Sequence, residues 1–196
     1  PSGCGKTTLL RLIAGFEQPT SGEIRCDGQV VSGPGADRVV VFQRAWLYPW
    51  LNVRDNVAFG LKLAKGPVDW QRVDEILEIV GLAEASSYMP HQLSGGMQQR
   101  AALARALVMS PKVLLMDEPF GALDAQTRRM MQDFLLDLWG NIKTTVVFIT
   151  HDIEEAILLG DRVAVMTANT ANPGKFALDR RIDLPRPRDE MTPLDD

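Results

Sequence analysis

The sequence is poor in what several common functions require. Its two cysteines, Cys4 and Cys26, form no CxxC pair, which excludes a CxxC redox or metal motif and leaves ordinary reduced thiols of a cytosolic protein as the expectation. Basic residues do not predominate: 21 lysines and arginines stand against 25 aspartates and glutamates, a net charge of −4. No cluster of them resembles a phosphate-backbone footprint, so nucleic acid is not expected as the primary ligand. No apolar run approaches the ~18 residues of a membrane-spanning helix, and any role at a membrane is expected to pass through a partner. Internal repeats and low-complexity tracts are also missing. What the chain does have is 45% hydrophobic residues in a length of 196, enough to build one domain around a real core.

The pattern of those residues predicts alternating elements. "TTLLRLIAG" reads as a helix ending at Gly15, and "PTSGEIRCDGQVV" as a turn followed by strands around a DG turn. "DRVVVFQ" is a short apolar strand ending at Gln43. From Asn52 to Pro111 the spacing turns helical, with Val73, Ile76, Leu77 and Val80 on one face and Leu103, Ala106 and Leu107 on another. Three further strands, "KVLLMD", "TTVVFIT" and "DRVAVM", alternate with two helices, of which one buries Met131, Phe134, Leu135 and Leu138. Such alternation predicts an α/β fold with a mainly parallel sheet. "DLPRPRDEMTPLDD" is expected to be loop.

Three short stretches carry chemistry. Gly5, Lys6 and Thr7 complete the second half of G-x-x-x-x-G-K-[ST], with "PSGC" before them but no leading glycine. A glycine-rich loop opening a helix offers backbone N–H groups to phosphate oxygens, an ammonium to the terminal phosphates and a hydroxyl to magnesium. "KVLLMDEP" is an apolar strand ending in two carboxylates, the Walker B arrangement. It places Asp117 to hold hydrated magnesium and Glu118 to polarise an attacking water. "LSGGMQQR" sets a serine and two glycines directly before a helix, a second device for phosphate. One domain has no obvious use for two phosphate cradles.

With these residues in view, and over essentially its full length, the chain resembles the nucleotide-binding subunit of ATP-binding-cassette transporters. The half P-loop, Gln43, Ser94 to Gly96, Asp117 to Pro119, Asp124 and His151 fall in that family's order. The resemblance implies a single P-loop NTPase domain, its core at 1–43 and 111–196 and a helical subdomain at about 44–110. It also implies that a strand and an adenine-stacking aromatic residue precede Pro1. ATP and Mg2+ would be the ligands. Ser2, Gly3, Cys4, Gly5, Lys6, Thr7, Thr8 and Gln43 would hold nucleotide, and Thr7, Gln43 and Asp117 the metal. Glu118 and His151 would be catalytic. Ser94, Gly95, Gly96 and Gln98 would act on the ATP of a second copy, and Asp124 would belong to the loop crossing that interface, besides capping the helix "AQTRRMM". His91 would be a non-catalytic neighbour. Two positions depart from the family pattern: Met97 stands where glutamine is frequent, and Gly121 where many members carry serine.

"LYPWLNVRDNVAFGL", "MDEPFGALDAQTR", "THDIEEA" and "DLPRPRD" most resemble bacterial importers of nitrate, sulfonates and taurine. Implied partners are a second copy in a head-to-tail dimer, transmembrane permease subunits and, indirectly, a periplasmic solute-binding protein, with the chain peripheral on the cytoplasmic face of the inner membrane. Trp46, Tyr48 and Trp50 would pack the helical insert and line the groove for a permease helix. The alternatives are a non-transport cassette ATPase, which would show a basic face or a long coiled insert, and an inactive truncated fragment.

Overall fold

The computed structural model describes residues 3–64, 66–139, 144–169, 172–186 and 188. Helix α1 (Lys6–Ala14) starts at Gly5 and stops at Gly15, both glycines in the left-handed region. Its Leu10 and Ala14 are buried against Leu115 and Ile149. Strands β1 (Arg25–Cys26) and β2 (Gln29–Val30) form an antiparallel hairpin. The Asp27-Gly28 turn between them takes positive φ at both residues, the geometry that matches strand twist.

Strand β3 (Arg38–Val41) is followed by α2 (Val53–Leu63), α3 (Trp70–Ile79), a single 3-10 turn (Pro90–Gln92) and α4 (Gly95–Leu107). Asn52, Asp69 and Ser94 each accept a backbone N–H of the first turn of α2, α3 and α4, which removes an orphan donor from each. Val53, Val57, Val73, Leu77, Leu103 and Leu107 then close one apolar core between the three helices. The expected buried faces of this stretch are observed.

Strands β4 (Val113–Asp117) and β5 (Thr145–Ile149) continue the sheet in the order β3-β4-β5, parallel throughout. Central β4 is covered on both faces, so Leu114, Leu115 and Met116 are all buried, as a continuous apolar run should be. Helix α5 (Ala125–Trp139) buries Met131, Leu135 and Leu138, with Phe134 half-buried, and α6 (Ile153–Leu159) follows β5.

The last of the expected strands departs from expectation. β6 (Arg162–Asn169) was expected to extend the parallel sheet, yet it pairs antiparallel with β7 (Asn172–Arg181), a strand not anticipated from the sequence. Between β5 and β6 lies a groove of about 1100 Å³, lined by Leu9, Leu10, Val147, Ile149, Val163 and Phe176 among others. Of the expected terminal loop, Arg188 is buried, its guanidinium donating to the carbonyls of Ile157, Gly160, Ile182 and Leu184.

Candidate functional site

Parallel pairing decides which side chains meet. Asp117 ends β4 opposite Ile149 of β5, and the Glu118 N–H donates to the Ile149 carbonyl at 2.9 Å. The residues just beyond both strands are therefore side by side: Glu118 Oε2 lies 3.2 Å from His151 Nδ1. Glu118 takes φ of 45°, a conformation that costs energy for a residue other than glycine and recurs at active sites. Asp152 accepts the N–H of Glu155 and so starts α6 immediately after His151.

Helix α1 supplies the other wall. Asp124 accepts the Thr127 N–H at the start of α5, and Asp152 does the same for α6, so every described α-helix but α1 has a side-chain cap. At α1 the preceding residue is Gly5, with no cap. The start of α1 is the positive end of the helix dipole, where an anion is favoured. Thr7 Oγ1 lies 3.5 Å from Asp117 Oδ1, and Lys6 Nζ 3.8 Å from Cys4 Sγ. Burial pushes the Asp117 carboxyl above its ordinary range; the Thr7 hydroxyl opposes this, the Glu118 charge adds to it, and Lys6 and Arg11 oppose it. A carboxylate desolvated in this way, facing a hydroxyl at the limit of hydrogen bonding, fits a hydrated divalent cation. Among the described residues no three His, Cys, Asp or Glu side chains are grouped so as to hold a metal ion by themselves.

Gln43 joins this side of the sheet. A Cβ built on Gly121 would sit 2.7 Å from Gln43 Nε2 and 3.4 Å from the Glu118 carbonyl. The glycine that departs from the family serine thus leaves room for the Gln43 amide beside Glu118. Ser2 lies outside the described residues. Gly3, Lys6, Thr7 and Thr8 are open to solvent to varying degrees, whereas Cys4 is buried.

The serine-glycine loop heads a different helix. Helix α1 packs on β3 and β4, whereas α4 packs on α2, α3, α5 and β3. Ser94 Oγ accepts the Met97 N–H at 3.3 Å. Gly95 faces Leu123, and a Cβ on Gly96 would meet Thr127 Cγ2 at 2.8 Å, so the serine-glycine loop is seated on the segment that carries Asp124. Asp124 also accepts the Thr127 hydroxyl at 2.6 Å, and these bonds hold its carboxyl below the ordinary range. Gln98 turns inward, donating to the carbonyls of Pro90 at 3.0 Å and Leu93 at 3.4 Å. His91 is exposed in the 3-10 turn.

Two polar residues of α4 escaped the sequence reading. Gln99 is 3% exposed and donates to the Phe42 carbonyl, while Arg105 donates to those of Ala45 and Trp46. The available signal was their position within "MQQRAALARAL", an alanine-rich run with polar groups on the packed side.

A family model described as ABC transporter matches residues 1–121. The chain belongs to the ABC transporter ATP-binding family. It is 52% identical to the nitrate import ATP-binding protein NrtD of Synechocystis sp. over 195 residues, covering 98% of this chain and 71% of that protein. Identity to the aliphatic sulfonates import ATP-binding protein SsuB of Bacillus subtilis is 48%, over 98% of this chain and 74% of that one. An ATP-binding cassette solved as a dimer in a post-hydrolysis state, bound to ADP and Pi, superposes with a TM-score of 0.74 at 32% identity. That match covers 93% of this chain and 82% of the other. The α/β P-loop class is thereby established for this member of the family.

Proposed function

We propose that this chain is the ATP-hydrolysing subunit of a bacterial importer for nitrate, sulfonate, taurine or a related small solute. The observation that carries the chemistry is the convergence of uncapped α1, Thr7, Asp117, Glu118 and His151 at one end of the parallel sheet, where ligands of open α/β sheets bind. The amides of α1 and the Lys6 ammonium would hold the terminal phosphates. Thr7, Asp117 and Gln43 would hold magnesium, which when bound neutralises charge developing on the phosphoryl oxygens. Glu118 orients the attacking water and takes its proton. His151 fixes the Glu118 carboxylate and reaches toward the terminal phosphate.

The separate seating of Ser94, Gly95 and Gly96 favours action across a dimer, each copy completing the site of the other, with residues 44–110 moving as a helical subdomain. Asp124, bonded to the Thr127 against which Gly96 packs, would belong to the loop crossing that dimer interface. Trp46 and Trp50, 65% and 70% exposed, offer an apolar surface for the permease subunits at the cytoplasmic face of the membrane. The solute-binding protein acts only through those subunits. A disruption of the gene tests the importer reading: growth on nitrate as sole nitrogen source, or on taurine or an alkanesulfonate as sole sulfur source, should fail for one of them and return with the wild-type chain. Unimpaired growth of the disrupted strain on all three, while the purified wild-type chain hydrolyses ATP, would refute this solute group.

A further inference from the structure

Residues 42–52 leave the sheet after β3 and carry Gln43 at their start, yet their backbone is held by helices. Gln99 Nε2 donates to the Phe42 carbonyl at 3.2 Å. About six residues on, or about 9 Å along α4, the Arg105 guanidinium bridges the carbonyls of Ala45 and Trp46 at 3.0 and 2.9 Å. It also lies over the Tyr48 ring, 5.4 Å from its centre. Asn56 of α2, fully buried, accepts the Tyr48 N–H and donates to the carbonyls of Tyr48, Leu51 and Asn52. Trp46 is held at φ of 43°, a strained conformation for an aromatic residue that persists only when its surroundings impose it. The planar guanidinium fork is suited to fixing two successive carbonyls at once.

We propose that Arg105, with Gln99, is a positioning residue of ATP turnover, clamping the Gln43 loop to α4 so that Gln43, the signature end of α4 and Trp46 move as one body. This rests on the ATPase reading above. In that arrangement a shift of Gln43 toward the nucleotide is delivered to Ser94–Gly96 and to the exposed tryptophans without passing through the sheet. Cutting the clamp disconnects the two events while leaving the phosphate cradle at α1 untouched.

The test uses the full chain with Trp50, Trp70 and Trp139 replaced by Phe, so that Trp46 reports alone. ATP titrations follow Trp46 emission, while binding is measured separately with radiolabelled ATP and turnover by phosphate release. The expected result is an ATP-dependent Trp46 change in the parent. With Arg105→Met that change is lost, kcat falls about tenfold and ATP affinity stays within about twofold. Arg105→Lys, keeping a donor for one carbonyl, should lie between. Gln99→Leu provides a second cut. An unchanged Trp46 response and kcat in both variants would overturn the clamp, as would a parent that binds and hydrolyses ATP without any Trp46 response. Loss of native circular dichroism in both Arg105→Met and Gln99→Leu would overturn it too, by assigning these residues to stability alone. A parent that neither binds nor hydrolyses ATP would refute the ATPase reading instead.

Discussion

Glu118 and Asp117 are adjacent in sequence but are held in different surroundings. The left-handed backbone at Glu118 turns its carboxylate out to His151, whereas Asp117 stays within the ladder and loses water. Glu118→Gln preserves shape but cannot accept a proton. Phosphate release should fall by about 100-fold or more, while the ATP dissociation constant stays near that of the wild type. Near wild-type hydrolysis would remove Glu118 from the reaction. For Asp117 the folded pKa lies above the unfolded one, so the folded state binds its proton more tightly and the ionised carboxylate destabilises the fold. That penalty is absent below the ordinary carboxylate pKa and complete above the raised one. Without nucleotide or metal, Asp117→Asn should therefore melt higher than the wild type at pH 7 and equally at strongly acid pH. A lower melting temperature at pH 7 would show that the charge is compensated. These residues were legible because strand, acid pair and proline fall together in "KVLLMDEP"; Arg105 was not, since only the tertiary path of residues 42–52 gives it a task.

At the scale of elements, the helices whose periodicity is strong appear where expected because apolar spacing and Asn, Asp or Ser caps point the same way. β6 is different. "DRVAVM" has the apolar content of a parallel core strand, but composition does not encode the partner, and its ladder is formed with β7. β7 itself, "NPGKFALDRR", alternates poorly and carries Pro173 and Gly174, which gave no strand signal. The contact between α4 and the Asp124 segment was equally invisible, and it makes a prediction. Gly96→Ala would drive a methyl into Thr127 Cγ2, forcing the signature end of α4 and α5 apart at a cost of about 1 to 3 kcal/mol. The melting temperature should drop, and Thr127→Ser, which removes that methyl, should restore much of the loss in the double variant. No recovery would mean that the methyl clash is not the cause.

At the scale of the molecule, β5 faces an open groove, and the two stretches expected to bind phosphate head different helices, α1 on β3 and β4 and α4 on α2, α3, α5 and β3. A device bound to its own chain's nucleotide and a device bound to a partner's make opposite statements about mixtures. If Ser94–Gly96 serves the nucleotide of the same chain, Lys6→Ala and Ser94→Arg on separate chains damage both sites of a mixed dimer, one by each lesion. If it serves the nucleotide of the second copy, the two lesions fall into one composite site and the other remains whole. Neither homodimer should then hydrolyse ATP, because Lys6→Ala loses the ammonium at the phosphates and Ser94→Arg fills the space opposite them. Mixing equal amounts forms about half mixed dimers by random pairing, each with one intact site. The predicted outcome is trapping of about one nucleotide per mixed dimer when both chains also carry Glu118→Gln, measured with differently tagged chains purified through both tags. Trapping of none would place the serine-glycine loop on its own chain's nucleotide and remove the exchange of parts between copies.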